Sequence, residues 1–247
     1  MKRSEVNAAL REMEAFCKKL QYPLPPFCAF TPEDWAHLGQ EYDEIRDCGL
    51  GWDITDYGQG DFEHFGFSLI TLRNGCRSMP EKYPQVYAEK LLYLREGQYA
   101  PNHFHWMKSE DIINRGGGTV LIRVFRSLPD EGIDRSSDVE VISDGRRYTV
   151  KAGTQVPLRP GESIHIYPRL YHDFSLLSGT GPVLLGEVSQ VNDDAADNRF
   201  EPPVGRFPSI EEDEAPYRLL CTEYPSEDKQ RMDEDPVNER DNGKQRP

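Results

Sequence analysis

Apolar residues fall at helical spacing in one place near the start of the chain. Val6, Leu10, Met13, Cys17 and Leu20 lie three or four apart, as one face of a 3.6-residue period requires. They predict an amphipathic helix over residues 4–20, capped by Ser4 and ended by Pro23, Pro25 and Pro26. The run Thr31-Pro32-Glu33-Asp34 supplies a cap, a first-turn proline and two first-turn acids, which predicts a short helix through Leu38 that stops at Gly39. Residues 42–64 show little periodicity and are expected to form an irregular arm. Trp52 and Tyr57 are read there as anchors of the loop, with a place in a pocket wall as the alternative.

From Gly66 onward the period drops to two. Strands are predicted at 67–72, 86–94, 119–125, 139–142, 147–150, 156–158, 163–167, 174–177 and 183–188. Asp144-Gly145 makes a tight hairpin of the pair around it, and residues 127–137 form a polar loop. Strands this short and evenly spaced favour an antiparallel barrel or sandwich. Lys90 interrupts an otherwise apolar strand, so it either snorkels to solvent or faces a cavity. The last residues, 225–247, carry almost nothing apolar and cannot offset the entropy of ordering; a disordered tail is expected.

Into this pattern falls GQYAPNHFHWMKSEDIINRGG, residues 97–117. Side chains two apart on a strand share a face, so His103 and His105 project together. Glu110 follows a short turn that can bring its carboxylate to the same point. His172, in PRLYHDF, would come from a later strand. Three imidazoles and a carboxylate suit Mn, Fe, Co, Ni or Zn, whereas structural zinc more often takes thiolates and no cysteine lies near. Such an ion can polarise a carbonyl or acidify a hydroxyl. His37, His64 and His165 are read as structural or surface residues.

Two segments resemble the cupin motifs. Gly97, His103, His105, Glu110 and Gly117 match the first completely; Gly161, Pro168 and His172 match the second. Arg169, Leu170 and Tyr171 stand where that motif usually includes a glycine, and Leu176 where asparagine is common. The resemblance implies a mainly β fold: a cupin double-stranded β-helix (jelly-roll) barrel with N-terminal helices. The expected division is 1–64 as helices and an arm packed on the barrel, 65–224 as barrel with a pocket-lining C-terminal loop, and 225–247 as tail.

Composition narrows the partners. The 247 residues carry a net charge of −14, which argues against nucleic acid or an anionic membrane surface and against phosphorylated sugars without a local basic pocket. Apolar runs are short, the N-terminus has no apolar signal segment, and five cysteines without a C-x-x-C fit reduced thiols in the cytoplasm. Chemically, such a metal could activate dioxygen, hydrolyse a bond, or serve aldose–ketose exchange, in which the metal chelates a carbonyl and the adjacent hydroxyl, a base moves a proton from C2 to C1, and an enediolate lies between. A cupin dioxygenase, a non-enzymatic sugar-binding cupin and a phosphosugar isomerase are the alternatives.

The combination HFHWMKSED, GESIHIYPRLYHDF and GEVSQVNDDAADNRF is similar to the D-lyxose isomerase family of bacterial cupins, from the N-terminal helix to Tyr224. The resemblance implies interconversion of D-lyxose with D-xylulose, and of D-mannose with D-fructose, by a homodimer that prefers Mn2+, with Co2+, Fe2+, Ni2+ or Zn2+ as substitutes. Carried onto this sequence, the metal ligands are His103, His105, Glu110 and His172. Lys108 is expected as the basic catalytic partner, and Asp193 or Glu201 as the carbon acid–base. Lys90, Trp106 and Arg199 are expected to contact the substrate, a free aldose or ketose.

Overall fold

The computed structural model describes residues 1–193 and 196–225. The tail from 226 on, read above as disordered, and Asp194 lie outside the described residues. The helical spacing near the start forms α1 (Arg3–Lys19). Its cap is Lys2, not Ser4: the Lys2 amide donates to the Glu5 carboxylate at 2.6 Å. Ser4 instead donates its amide and hydroxyl to Asp213. The second helix, α2 (Pro32–Trp35), is capped by Thr31 as expected but lasts one turn. Trp35 ends it by stacking on Tyr224 at 3.9 Å between ring centroids.

Residues 42–64 are more ordered than their sequence suggests. They hold α3 (Asp43–Asp47) and the strand β1 (Gly51–Thr55). All five residues of β1 are buried, so no alternation marks it, as for any strand covered on both faces. The boundary expected at 64/65 therefore falls after the first strand of the sheet. Trp52 is an anchor, donating its indole N–H to the Cys28 carbonyl at 2.8 Å. Gly66 closes the turn after β1 with φ +107°, where a Cβ would lie 1.7 Å from the Thr55 carbonyl oxygen; only glycine fits.

The remaining strands are β2 (Phe67–Arg73), β3 (Tyr87–Leu94), β4 (Ala100–Phe104), β5 (Glu110–Gly117), β6 (Val120–Ser127), β7 (Ile133–Asp134) and β8 (Val139–Ser143). They continue with β9 (Arg146–Val150), β10 (Gln155–Leu158), β11 (Ser163–Ile166), β12 (Leu170–Leu176), β13 (Val183–Gln190) and β14 (Arg199–Phe200). Among the described residues, one sheet runs β1-β2-β3-β13-β5-β11-β8-β9 and the other β10-β6-β12-β4-β14, with β7 added to β6. The strand expected at 174–177 begins four residues earlier, at Leu170, so His172 sits within a strand.

The two antiparallel sheets close on an apolar core that includes Leu92, Ile112, Val124, Ile164 and Leu185. This is the expected double-sheet jelly roll. The outer face of the larger sheet is buried too. Ile54, Ile70, Leu91 and Leu184 pack beneath Val6, Leu10, Met13 and Cys17 of α1. Between the sheets, at one end, the core gives way to polar side chains.

Candidate active site

Strand pairing assembles the predicted ligands. β12 lies beside β4 with His172 directly opposite His103. His105 follows β4, and Glu110 opens β5. The imidazole nitrogens of His103, His105 and His172 lie within 4.8 Å of one another. All three rings and Glu110 are buried. In the second motif, which lacks the usual glycine, Arg169 adopts the left-handed conformation, φ 65°, and its amide donates to the His105 carbonyl.

Each imidazole is oriented by the backbone. Nδ1 of His103 faces the Pro101 carbonyl at 2.9 Å, that of His105 the Asp197 carbonyl at 2.9 Å, and that of His172 the Leu170 carbonyl at 3.0 Å. A carbonyl only accepts, so each Nδ1 carries a proton, and in the neutral ring each Nε2 keeps its lone pair. Nε2 of His105 and of His172 each stand 3.3 Å from a Glu110 oxygen, and neither nitrogen has a hydrogen-bond donor among the described residues. Acceptor thus faces acceptor in a buried space, which a cation resolves. The donor set of three nitrogens and one carboxylate fits a divalent ion.

Protonation agrees with that fit. Burial, followed by repulsion from His172 and His105, holds the His103 imidazole well below its ordinary value, so it stays neutral. Burial alone would raise the Glu110 carboxyl, but the Lys108 ammonium, His105 and His172 together outweigh it and hold the group well below its ordinary value. Lys108 Nζ sits 2.8 Å from Glu110 Oε2 and 2.8 Å from Glu187 Oε1, and it also donates to Asn192.

The larger sheet lays the cavity out in rows. Lys90 and Glu187 are cross-strand partners in one row, and Leu69 and Leu92 in the next. A polar row thus sits above an apolar floor. Phe67 and Phe174 join the floor side, and Tyr57 and Phe200 add an aromatic wall. Phe200 lies over His103 at 5.2 Å and meets Tyr57 edge-on. Tyr57, read above as a loop anchor, therefore lines the cavity.

Of the residues named from sequence, the cavity gathers His103, His105, Glu110, Lys108 and Lys90. Lys90 faces inward and is buried. Asp193, Glu201, Trp106 and Arg199 stand outside the lining found among the described residues. On β14 the alternation that turns Phe200 inward turns Arg199 and Glu201 away. Arg199 Nη2 lies 3.3 Å from Glu201 and its Nε 3.6 Å from Glu131, to which Trp106 also donates. Asp193 accepts the Ala196 amide at the end of its loop. Among the lining residues not singled out from sequence are Glu187, Asn198 and Arg206. Glu187 had a legible signal, because it shares the core-facing register of Val183 and Leu185. Arg206 had none, since its place depends on a 2.6 Å contact with distant Asp53. His37, His64 and His165 pair with the Glu33 carbonyl, Asp61 and Asp111, away from this cluster.

Comparison with known proteins adds three findings. The profile of a family described as D-lyxose isomerase matches residues 1–224. The chain is 46% identical over 225 residues to a protein of Serratia proteamaculans named D-lyxose/D-mannose isomerase, covering 91% of this chain and 98% of that one. A relative of the same name from Escherichia coli O157:H7 is 45% identical over 226 residues, with the same coverage. In structure, the chain resembles the L-ribose isomerase of Cellulomonas parahominis with L-ribose at TM-score 0.55 and 16% identity, and a mutant L-ribose isomerase of Acinetobacter sp. DL28 at 0.53 and 15%. Each match covers 85% of this chain and 98% of the other, and at such identity shows a shared fold.

Proposed function

The chain belongs to the D-lyxose isomerase family and is an aldose–ketose isomerase, and from that premise we propose that it interconverts D-lyxose with D-xylulose, and D-mannose with D-fructose. The observation that carries this reading is the convergence of three imidazole lone pairs and one carboxylate beside a buried lysine–glutamate pair. We propose that His103, His105, Glu110 and His172 hold one divalent ion, Mn2+ by preference. When bound, such an ion supplies Lewis acidity to substrate oxygens.

The chain's own groups would do the rest. The Glu187 carboxylate takes the proton from C2 of the aldose, exchanges it with solvent and delivers a proton to C1. The O2 hydroxyl proton moves to O1, leaving a C1 alcohol and a C2 ketone. Lys108 Nζ faces these oxygens and steadies the negative charge that develops between the two transfers. Lys90, one cross-strand step from Glu187, holds a hydroxyl further along the sugar. Leu69 and Leu92 set the sugar's carbon face against an apolar floor. Lys108 keeps the role expected of it, while Glu187 replaces Asp193 and Glu201 as the proton carrier because it alone of the three lines the cavity. A homodimer in the cytoplasm belongs to the same proposal and is read by light scattering and fractionation.

The test is a panel of free aldoses in deuterium oxide, with mannose 6-phosphate as the phosphorylated comparison. Formation of D-xylulose from D-lyxose, with deuterium incorporated at C1, supports the proposal. No turnover of lyxose or mannose with the metal supplied contradicts it, and turnover without deuterium at C1 contradicts the proton transfer assigned to Glu187.

A further inference from the structure

We propose that Asp197 is a positioning residue for the isomerisation: its buried carboxylate pins the Met107–Lys108 turn so that the Lys108 ammonium is delivered to Glu187 and Glu110. The inference rests on the roles given above to Lys108 and Glu187. Asp197 is 1% exposed and belongs to the acidic loop after β13. It turns inward, towards main chain and not towards the cavity. Oδ1 accepts the Met107 amide at 2.9 Å and Oδ2 the Lys108 amide at 3.0 Å. Its own amide donates to the Asp193 carbonyl at 3.0 Å, and Arg77 approaches Oδ2 at 3.7 Å.

A buried carboxylate is costly unless donors meet it. Here two successive main-chain amides do so, and their geometry needs two acceptor oxygens. Asparagine offers one acceptor, and its amide nitrogen would face an N–H. The turn these bonds fix is the one that aims Lys108. A separate anchor reaches His105, whose Nδ1 donates to the Asp197 main-chain carbonyl at 2.9 Å. One residue thus holds a proposed ligand through its backbone and the proposed charge-stabilising lysine through its side chain. Substitution at 197 removes the second hold and leaves the first.

The test compares Asp197→Ala and Asp197→Asn with wild type by three readouts: steady-state kinetics on D-lyxose, Mn2+ titration, and deuterium exchange of the peptide spanning 105–110. The expected result for Asp197→Ala is a kcat lower by about 10²-fold, the scale of a displaced catalytic group, with KM and Mn2+ affinity close to wild type. Amide exchange in the peptide should rise, and Asp197→Asn should fall between the two. A kcat equal to wild type would overturn the inference, as would a loss fully accounted for by weaker Mn2+ binding or a smaller folded fraction. Should the alanine variant fail to fold, the asparagine variant is judged by the same criteria. If wild type converts no free sugar, the proposed function fails on its own account. Unchanged exchange at 105–110 overturns the pinning whatever the substrate.

Discussion

Glu187 lies on the core-facing side of β13, opposite Lys90 and within 2.8 Å of Lys108 Nζ; an ionisable acid so placed, in a cavity beside clustered imidazoles, has the geometry of a proton carrier. Glu187→Gln keeps the shape and removes the base. It is expected to lower kcat by roughly 10²–10⁴-fold, the usual range for general acid–base catalysis, with metal content and melting temperature unchanged. His105→Ala is expected to lose bound metal and activity together while the circular dichroism spectrum stays that of a folded β protein. The four proposed ligands were legible because their spacing carries the information: H-x-H fixes a shared strand face, and the glycines fix the turns. Glu187 was less legible because it looks like the polar end of an apolar strand until the register with β3 and β5 is known. Arg206 and Tyr57 were harder still, since contacts across the fold place them. The acids of this segment read as one patch in sequence, yet Asp197 is buried against the Met107 and Lys108 amides while Glu201 pairs with Arg199.

Among the elements, α1 depends on a short acidic segment near the end of the barrel chain. Arg3 pairs with Glu212 and Glu223, Ser4 bonds Asp213, and Asn7 Nδ2 donates to Glu214 and the Ala215 carbonyl. Arg3→Ala is expected to cost about 1–2 kcal/mol, less than a fully buried pair because Glu212 is largely exposed; urea unfolding measures it. The same clamp makes stability pH-dependent. The Arg3 hydrogen bond holds Glu212 below its ordinary 4.5, and the Ser4 hydroxyl and amide hold Asp213 below 3.8. Groups whose pKa falls on folding stabilise fully above the ordinary values and lose that contribution as pH drops through the folded ones. The melting temperature should therefore fall on acidification below about pH 4.5, and this acid limb should be shallower in Arg3→Ala. Gly66→Ala tests the turn into β2: a Cβ at φ +107° against the Thr55 carbonyl should cost at least ~1–3 kcal/mol. The helix, the hairpin at Asp144-Gly145 and most inner strands were legible from period and turn chemistry. β1 was not, because burial on both faces erases alternation.

For the molecule as a whole, the net charge is −14, while the cavity sets Lys90, Lys108 and Arg206 beside Glu110 and Glu187. A free sugar carries no charge, so the outer field neither steers nor repels it. The kcat/KM for D-lyxose should change little between low and physiological salt; a steep dependence would point to a charged substrate. The jelly roll explains why the site lies where it does: β4 and β12 bring the proposed ligands His103 and His172 from one sheet, β5 and β13 bring Glu110 and Glu187 from the other, and Asp197 holds the Met107–Lys108 turn between β4 and β5. The most direct test is to strip the protein of metal with a chelator and follow conversion of D-lyxose to D-xylulose before and after adding Mn2+. The expected result is a folded, inactive protein that recovers activity as one Mn2+ per chain is taken up. Undiminished conversion by the metal-free protein, or none after Mn2+ is bound, would contradict it.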